Sequence, residues 1–333
     1  MQFGLFGSAQ ARRGGPDVDS AAGFRDFVAY NVEAEALGFH SSFIVEHHFT
    51  GFGQVSASLN LLTWIGAHTK TLRLGTAVLV LPWHNPVLLA EQASTLDLLS
   101  GGRFDFGIGK GYRYNEFSGF CVPMEEAEPR FDEVLEVMIK AWTSDTPWSH
   151  RGQYWQFDNI VVEPPTVQKP HPPIWMGAGS PGSIKKVAAN GFNLLLGQFS
   201  SLAQIAEQIA LFKSEVEASG RTFDPMTVGV ARSLNVVMNR EEYEKAIENR
   251  MAGRRRVERL SQRPDAQNQK KVMSEDEVRE VAEAGTLYGT PDDIAVKLQA
   301  LRDVGVAYVL INSAGGPASL RRFAREVMPA FLG

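Results

Sequence analysis

The feature that most restricts how this chain can fold is a rhythm. Short aliphatic, aromatic and β-branched runs alternate with helical patterns along its length. The strand-like runs are Met1–Gly7, His40–Glu46, Leu72–Leu81, Arg103–Gly111, Ile174–Ala178, Asn193–Leu196, Thr227–Met238 and Ala307–Asn312. Helical patterns follow them over Ser20–Leu37, Ser58–His68, Pro86–Leu99, Glu126–Trp142, Ser180–Asn190, Leu202–Ser219, a long charged stretch, and Pro317–Phe331. Gly38, Pro82 and Ser100-Gly101-Gly102 punctuate the pattern where elements must end. Strands that each hand over to a helix make a parallel sheet, and eight such units favour closure into an α/β fold, a (β/α)8 TIM barrel with insertions. The open alternative is a doubly wound sheet with a G-x-G-x-x-G turn. The nearest stretch, Gly107-Ile108-Gly109-Lys110-Gly111, has the wrong spacing and runs into an aromatic, charged loop.

A single barrel domain over 1–333 is expected, since such barrels fill about 250 residues and grow by insertion. Two stretches depart from the repeat. Over 145–165, short aromatic alternation (Tyr154-Trp155-Gln156-Phe157, then Ile160-Val161-Val162) predicts an inserted β-hairpin. Over 250–285 charge dominates, with Arg254-Arg255-Arg256, Lys270-Lys271 and Glu275-Asp276-Glu277 and few apolar anchors. That insertion is either a solvated helical excursion or a lid over the top of the barrel, and composition does not separate the two.

The balance of charge excludes some classes of partner. A net charge of -5 gives no basic field for nucleic acid or an anionic membrane. The lone cysteine, Cys121, rules out an internal disulfide framework and suits a reducing compartment. The first residues lack a signal-peptide pattern, and no run approaches the roughly 20 apolar residues of a membrane helix. A cytoplasmic protein is expected, with neither nucleic acid nor membrane as partner.

Three stretches could carry chemistry. In Val45-Glu46-His47-His48-Phe49-Thr50-Gly51-Phe52-Gly53 an apolar strand runs into two histidines at its carboxyl end, where parallel folds keep their sites. Successive strand residues face opposite sides, so Glu46 and His48 share one side and His47 takes the other. That is a poor ligand set for one ion, and no metal is expected. The histidines are either hydrogen-bonded structural groups or supply one base in an apolar pocket mouth, imidazole titrating near neutral pH. In Gly177-Ala178-Gly179-Ser180-Pro181-Gly182-Ser183-Ile184 small residues and hydroxyls stand at a helix start. Ser180 there is either a plain cap or part of an anion site, for which Lys110 and Arg130 could supply charge. Gly75-Thr76-Ala77-Val78 puts small residues mid-strand, making room for something flat or packing against a large neighbour.

Together, Phe3-Gly4, Glu46-His47-His48-Phe49-Thr50, Leu74-Gly75-Thr76-Ala77 with Val80-Leu81-Pro82, Gly102-Arg103-Phe104 with Phe106-Gly107-Ile108, Gly289-Thr290-Pro291 and Val327-Met328-Pro329 resemble the luciferase-like flavin monooxygenases. The resemblance implies a barrel that binds reduced FMN at the carboxyl ends of its strands. It implies that O2 is the co-substrate, that a flavin hydroperoxide oxidises a small apolar organic substrate, and that a separate NAD(P)H:flavin reductase supplies the reduced flavin. It assigns His47 as the catalytic base, with Glu46 and His48 as supports, and places a non-proline cis peptide at Ala77-Val78. It also assigns Ala77, Val78, Gly109, Tyr112 and Ala178 to the flavin, and Lys110, Arg130, Gly179, Ser180 and Ser183 to its phosphate. Phe49, Phe52, Trp83 and Tyr112 are expected to keep water out. Lys110 stands where the light-emitting members carry arginine, Gly109 where they carry cysteine and Gly179 where they carry glutamate. The expected assembly is a homo-oligomer, a dimer. Two alternatives share the barrel: a deazaflavin-dependent oxidoreductase, and a flavin-binding subunit without catalysis, against which the presence of His47 argues.

Overall fold

The computed structural model describes residues 1–262 and 273–332. Its elements, in order, are β1 (Gln2–Gly7), α1 (Ala22–Ala36), β2 (Ser41–Ile44), α2 (Ser58–His68), β3 (Arg73–Thr76), β4 (Leu79–Val80), α3 (Pro86–Ser100), β5 (Phe104–Gly109), α4 (Tyr114–Gly119) and α5 (Ala127–Thr143). There follow β6 (Trp148–Arg151), β7 (Gln156–Ile160), β8 (Ile174–Gly177), α6 (Pro181–Ala189), β9 (Asn193–Leu196), α7 (Leu202–Ala218), β10 (Val228–Val236), α8 (Arg240–Ser261), α9 (Glu275–Ala284), β11 (Thr286–Gly289), α10 (Pro291–Asp303), β12 (Tyr308–Ser313) and α11 (Gly316–Glu326).

The sheet runs β12-β1-β2-β3-β5-β8-β9, and β10 pairs with both β9 and β12, so the ring closes as a (β/α)8 barrel. The expected third strand is interrupted: β3 and β4 both pair with β5, and the Ala77-Val78 peptide between them is cis. The long charged stretch resolves into α8, α9, β11 and α10 rather than one helical run. Lys270 and Lys271 lie outside the described residues. Among the described residues, no helix is long and apolar enough to cross a membrane.

The chain divides into two compact units, of which one comprises Met1–Gly7, Glu33–Phe43 and Met176–Gly333. Its organising strand is β10. Gly229 to Leu234 run parallel to Tyr308–Ser313 of β12, Val228 to Val230 pair with β9, and Ser233 to Val236 pair with β11. Around the charged stretch expected over 250–285, Ala246, Ile247 and Met251 of α8 meet Val278 and Ala282 of α9 and Tyr288 of β11 in an apolar cluster. Burial of these side chains on one face is what lets so charged a pair of helices form.

The other unit comprises Ser8–Val32 and Ile44–Trp175. Arg103 ties its helix ends and strands together by donating to the carbonyls of Gly66, Leu72 and Ser100. Arg73 forks onto Asp105 with two bonds of 2.8 Å, and Trp175 donates to the same carboxylate. β6 and β7 pair antiparallel. At the end of β3 the Thr76 hydroxyl donates to Gly107 O (2.7 Å) and accepts from Gly107 N (2.8 Å). The strands approach so closely that a Cβ at Gly107 would lie 1.6 Å from Thr76 O. Gly107→Ala is therefore expected to destabilise the protein by about 3 kcal/mol through backbone displacement. Urea denaturation measures this, and an unchanged midpoint would mean that β3 and β5 do not meet here.

Candidate active site

The two residues beyond Ile44, where β2 ends, lead into a buried polar network. Glu46 is 2% exposed. Its Oε1 accepts from His48 Nε2 at 3.0 Å and His84 Nε2 at 2.8 Å, while Oε2 accepts from the backbone N–H of Val80 at 2.7 Å. Burial pushes this carboxyl upward, but the hydrogen bonds from His48, His84 and Val80, with the charge of His84, outweigh it and hold the group at about 2. Both imidazoles therefore carry a proton on Nε2.

His47 faces a different carboxylate. Its Nδ1 lies 3.1 Å from Glu116 Oε1 on α4, and the same oxygen accepts from the His48 backbone N–H at 3.0 Å. With the carboxylate accepting, His47 holds its proton on Nδ1 and leaves the Nε2 lone pair bare. Burial lowers the imidazole below its ordinary value. Glu116 opposes that shift and the charge of Arg113 reinforces it, so the ring is neutral near pH 7. The hydrogen-bond partner of His47 is thus Glu116, while Glu46, whose oxygens are taken by other donors, acts on it through charge. A single acid within a mixed loop sequence gave no signal of this role. Arg113 is also buried, its Nη1 is 3.9 Å from Glu116 Oε1, and neither its Nε nor its Nη1 has a hydrogen-bond acceptor among the described residues.

Beside the histidines is an aromatic cluster centred on Phe120, a residue without a sequence signal. Its ring is 4.7 Å from His48, 4.9 Å from Phe49 and 5.2 Å from Trp83, on which it stacks. Phe49 adopts the left-handed conformation with φ 53°, uncommon for a bulky residue, and the Asn115 amide donates to the carbonyls of His48 and Phe49 on either side of the turn. Of the expected water-excluding residues, Trp83 and Phe49 belong to this cluster. Tyr112 is 58% exposed and faces the Arg113 guanidinium at 5.8 Å.

The proposed flavin residues divide between the two units. In one, Ala77 and Val78 form the cis peptide after β3, and Gly109 ends β5 against Val78, where a Cβ would come within 2.6 Å of Val78 Cγ2. Lys110 pairs with Glu128 at 3.2 Å, and Arg130 pairs with Glu126 at 2.8 Å while lying over the Tyr154 ring. In the other unit, Ala178 N donates to Leu195 O just past β8. Ser180 caps α6, its hydroxyl accepting from Ser183 N and sharing a 2.7 Å bond with Ser183 Oγ. A Cβ at Gly179 would meet nothing nearer than 3.6 Å, and at Gly182 nothing within 4 Å. Open backbone, two hydroxyls and the start of α6 fit a phosphate, and the small residues after β3 and at the end of β5 fit a flat ring.

The family model described as luciferase-like monooxygenase matches residues 1–308. The chain belongs to that family. It is therefore an enzyme of a monooxygenase family whose fold is this barrel. The chain is 26% identical over 324 residues to an F420-dependent glucose-6-phosphate dehydrogenase of Amycolatopsis mediterranei, covering 92% of this chain and 94% of that one. It is 32% identical over 163 residues to the oxygenase component of a flavin-dependent trigonelline monooxygenase of Acinetobacter baylyi, covering 48% of this chain and 45% of that one. Among solved structures, the monooxygenase RslO1 of Streptomyces bottropensis superposes with a TM-score of 0.82 at 26% identity, covering 100% of both chains.

Replacing Glu46 leaves three donors unpaired in the interior. Glu46→Ala should cost on the order of 3 kcal/mol at pH 7, measurable by chemical denaturation. Because the folded carboxyl sits at about 2, below its ordinary range, its contribution is present at neutral pH and is lost as the pH falls from about 4.5 toward 2. The difference in stability between wild type and variant should shrink over that interval. A constant difference would show that Glu46 is not held as an anion.

Proposed function

We propose that this chain is the oxygenase component of a two-component, reduced-FMN-dependent monooxygenase acting on a small organic molecule. The observation that carries this is the His47–Glu116 pair, a neutral imidazole with a bare Nε2 beside an aromatic cluster. The reading is further supported by the flavin dependence and "oxygenase component" in the printed name of the trigonelline enzyme. A separate reductase follows from it as the source of reduced flavin.

When bound, the reduced flavin supplies the two electrons with which dioxygen is divided between substrate and water. The residues that would hold it are Ala77, Val78, Gly109, Lys110, Tyr112, Arg130, Ala178, Gly179, Ser180 and Ser183. Lys110 and Arg130 would exchange Glu128 and Glu126 for the phosphate, a charge-assisted contact. His47 Nε2 would take a proton from the reacting group of the bound substrate and return it, while Glu116 keeps the proton on Nδ1 and fixes the ring. Phe49, Trp83 and Phe120 limit access of water to that proton.

In oxygen-uptake assays with chemically reduced FMN and a substrate screen, His47→Ala is expected to lose at least about 100-fold of substrate-coupled turnover. Unimpaired turnover in the variant would remove His47 from the mechanism. The F420-dependent relative, matched over nearly the whole chain, favours a second reading in which a reduced deazaflavin transfers hydride without oxygen. Anaerobic titration with both cofactors separates the two, since tight binding of the deazaflavin alone would overturn the FMN reading.

A base must be unprotonated, so the acid limb of the rate profile should fall below the ordinary imidazole value of about 6.5. Glu116 raises the His47 value, so Glu116→Gln should lower it further and move the limb to lower pH, along with a lower maximal rate. A limb that stays in place, or moves up, would contradict the assignment of Glu116.

A further inference from the structure

A second charged cluster, distant in sequence from His47, has no part in the chemistry above. Arg232 of β10 is 2% exposed, yet among the described residues no carboxylate lies within ion-pair distance of it. Its Nη1 and Nη2 donate to the carbonyls of Ala231 and Ser200, both at 2.9 Å. Arg250 of α8 reaches the same loop and donates to Gln198 O at 3.1 Å and to Gln198 Oε1 at 3.3 Å. Arg254, one turn further along α8, lies over the Phe199 ring at 4.7 Å, as Arg250 does at 4.9 Å. Three guanidinium groups from β10 and α8 therefore converge on the 198–200 loop, directly after β9.

Their charge is poorly compensated. The one carboxylate at hand is Glu258, 3.2 Å from Arg254 Nε, and Arg250 has none among the described residues. Among the described residues Arg250 Nε is buried without a hydrogen-bond acceptor, and Arg254 Nε, although it forms the ion pair with Glu258, makes no aligned hydrogen bond. Burial, and then the neighbouring charge of Arg250, bring Arg232 down to about 10; burial lowers Arg250 as well, with the Tyr288 phenol opposing that shift and the charge of Arg254 reinforcing it. Arg232 and Arg250 remain cationic at neutral pH. Burying cations beside one another is costly unless an anion joins them, and a guanidinium presents the planar fork that matches a carboxylate or phosphate. Carbonyl bonds and the Phe199 ring hold the groups in place beforehand, so little ordering is needed when an anion arrives.

We propose that Arg232, Arg250 and Arg254 form a recognition site for the anionic group of an organic ligand, a carboxylate or a phosphate ester. In calling that ligand the substrate, the inference rests on the oxygenase reading above; the anion site itself does not. It narrows the substrate class from apolar molecules in general to those bearing one acidic group. Unassisted hydrocarbons and simple alkanals would bind poorly, because they leave the three charges unanswered.

The test is calorimetric titration of the whole protein, with and without FMN, using benzoate, phenyl phosphate and neutral benzyl alcohol. At least one of the two anions should bind while benzyl alcohol does not, and the preferred anion tells carboxylate from phosphate ester. Arg250→Gln and Arg254→Gln, at part-exposed positions of α8, should each weaken that binding at least tenfold. Arg232→Gln should do the same where it folds. The proposal is overturned if neither anion binds, if benzyl alcohol binds as well, or if the α8 variants bind as wild type does. It is equally overturned if Lys110→Gln abolishes the binding and Arg250→Gln does not, since the anion would then occupy the flavin-phosphate residues. Affinity of the wild type for reduced FMN, measured in parallel, reports on the oxygenase reading separately.

Discussion

The arrangement of the histidine site depends on one buried carboxylate. Glu46 takes three donors from three places in the chain: the imidazole of His48, the imidazole of His84 and the amide of Val80 at the end of the interrupted third strand. An anion so placed is stable only if its lone pairs are filled, and filling them fixes the positions of the donors. With His48 turned toward Glu46, the residue before it in the chain is turned the other way, toward Glu116. The same carboxylate also holds β4 at the height where it pairs with β5. The three histidines are thus divided between two acids, His48 and His84 on Glu46 and His47 on Glu116.

The two acids work differently. Glu46 is saturated, and its partners have no bare nitrogen directed at it. Glu116 accepts from His47 and from a backbone amide, leaving the far nitrogen of His47 available. Arg113 nearby pulls the imidazole toward its neutral form while burial does the same, so two independent effects keep the lone pair open against the pull of the carboxylate. The neutral form of this imidazole results from opposing influences, with burial and Arg113 outweighing Glu116.

Much of the architecture could be read in the sequence because period and punctuation are local. Gly38, Pro82 and Gly101-Gly102 stop elements where their backbone demands it, and eight apolar runs are enough to close a ring. The break in the third strand was suggested only by resemblance, since Gly75-Thr76-Ala77 reads as continuous strand in any local window. In the insertion, apolar anchors are spaced so widely (Ile247, Met251, Val278, Ala282, Tyr288) that their common core exists only once two helices and a strand meet. At the site, His47 stood out because histidines at a strand end are rare punctuation. Glu116, Arg113 and Phe120 did not, because an acid, a base and an aromatic in a loop look the same whether solvated or buried. The converging arginines escaped for the same reason: Arg232 sits in an apolar strand and Arg250 and Arg254 in a charged helix, and only the fold puts them on one loop.

Strand β10 is nine residues long and divides its labour along its length. Its first three residues, Val228 to Val230, close the ring against β9, whereas its last four, Ser233 to Val236, carry β11 and with it the insertion. The hydrogen bonds that close the barrel and those that seat the inserted helices are therefore different bonds on one strand. The pairing that seats α8, α9 and β11 is separate from the pairing of Val228 to Val230 with β9. One strand thus carries two attachments, and a change confined to Val236 and the β11 it meets would loosen the charged helices before it loosened the ring.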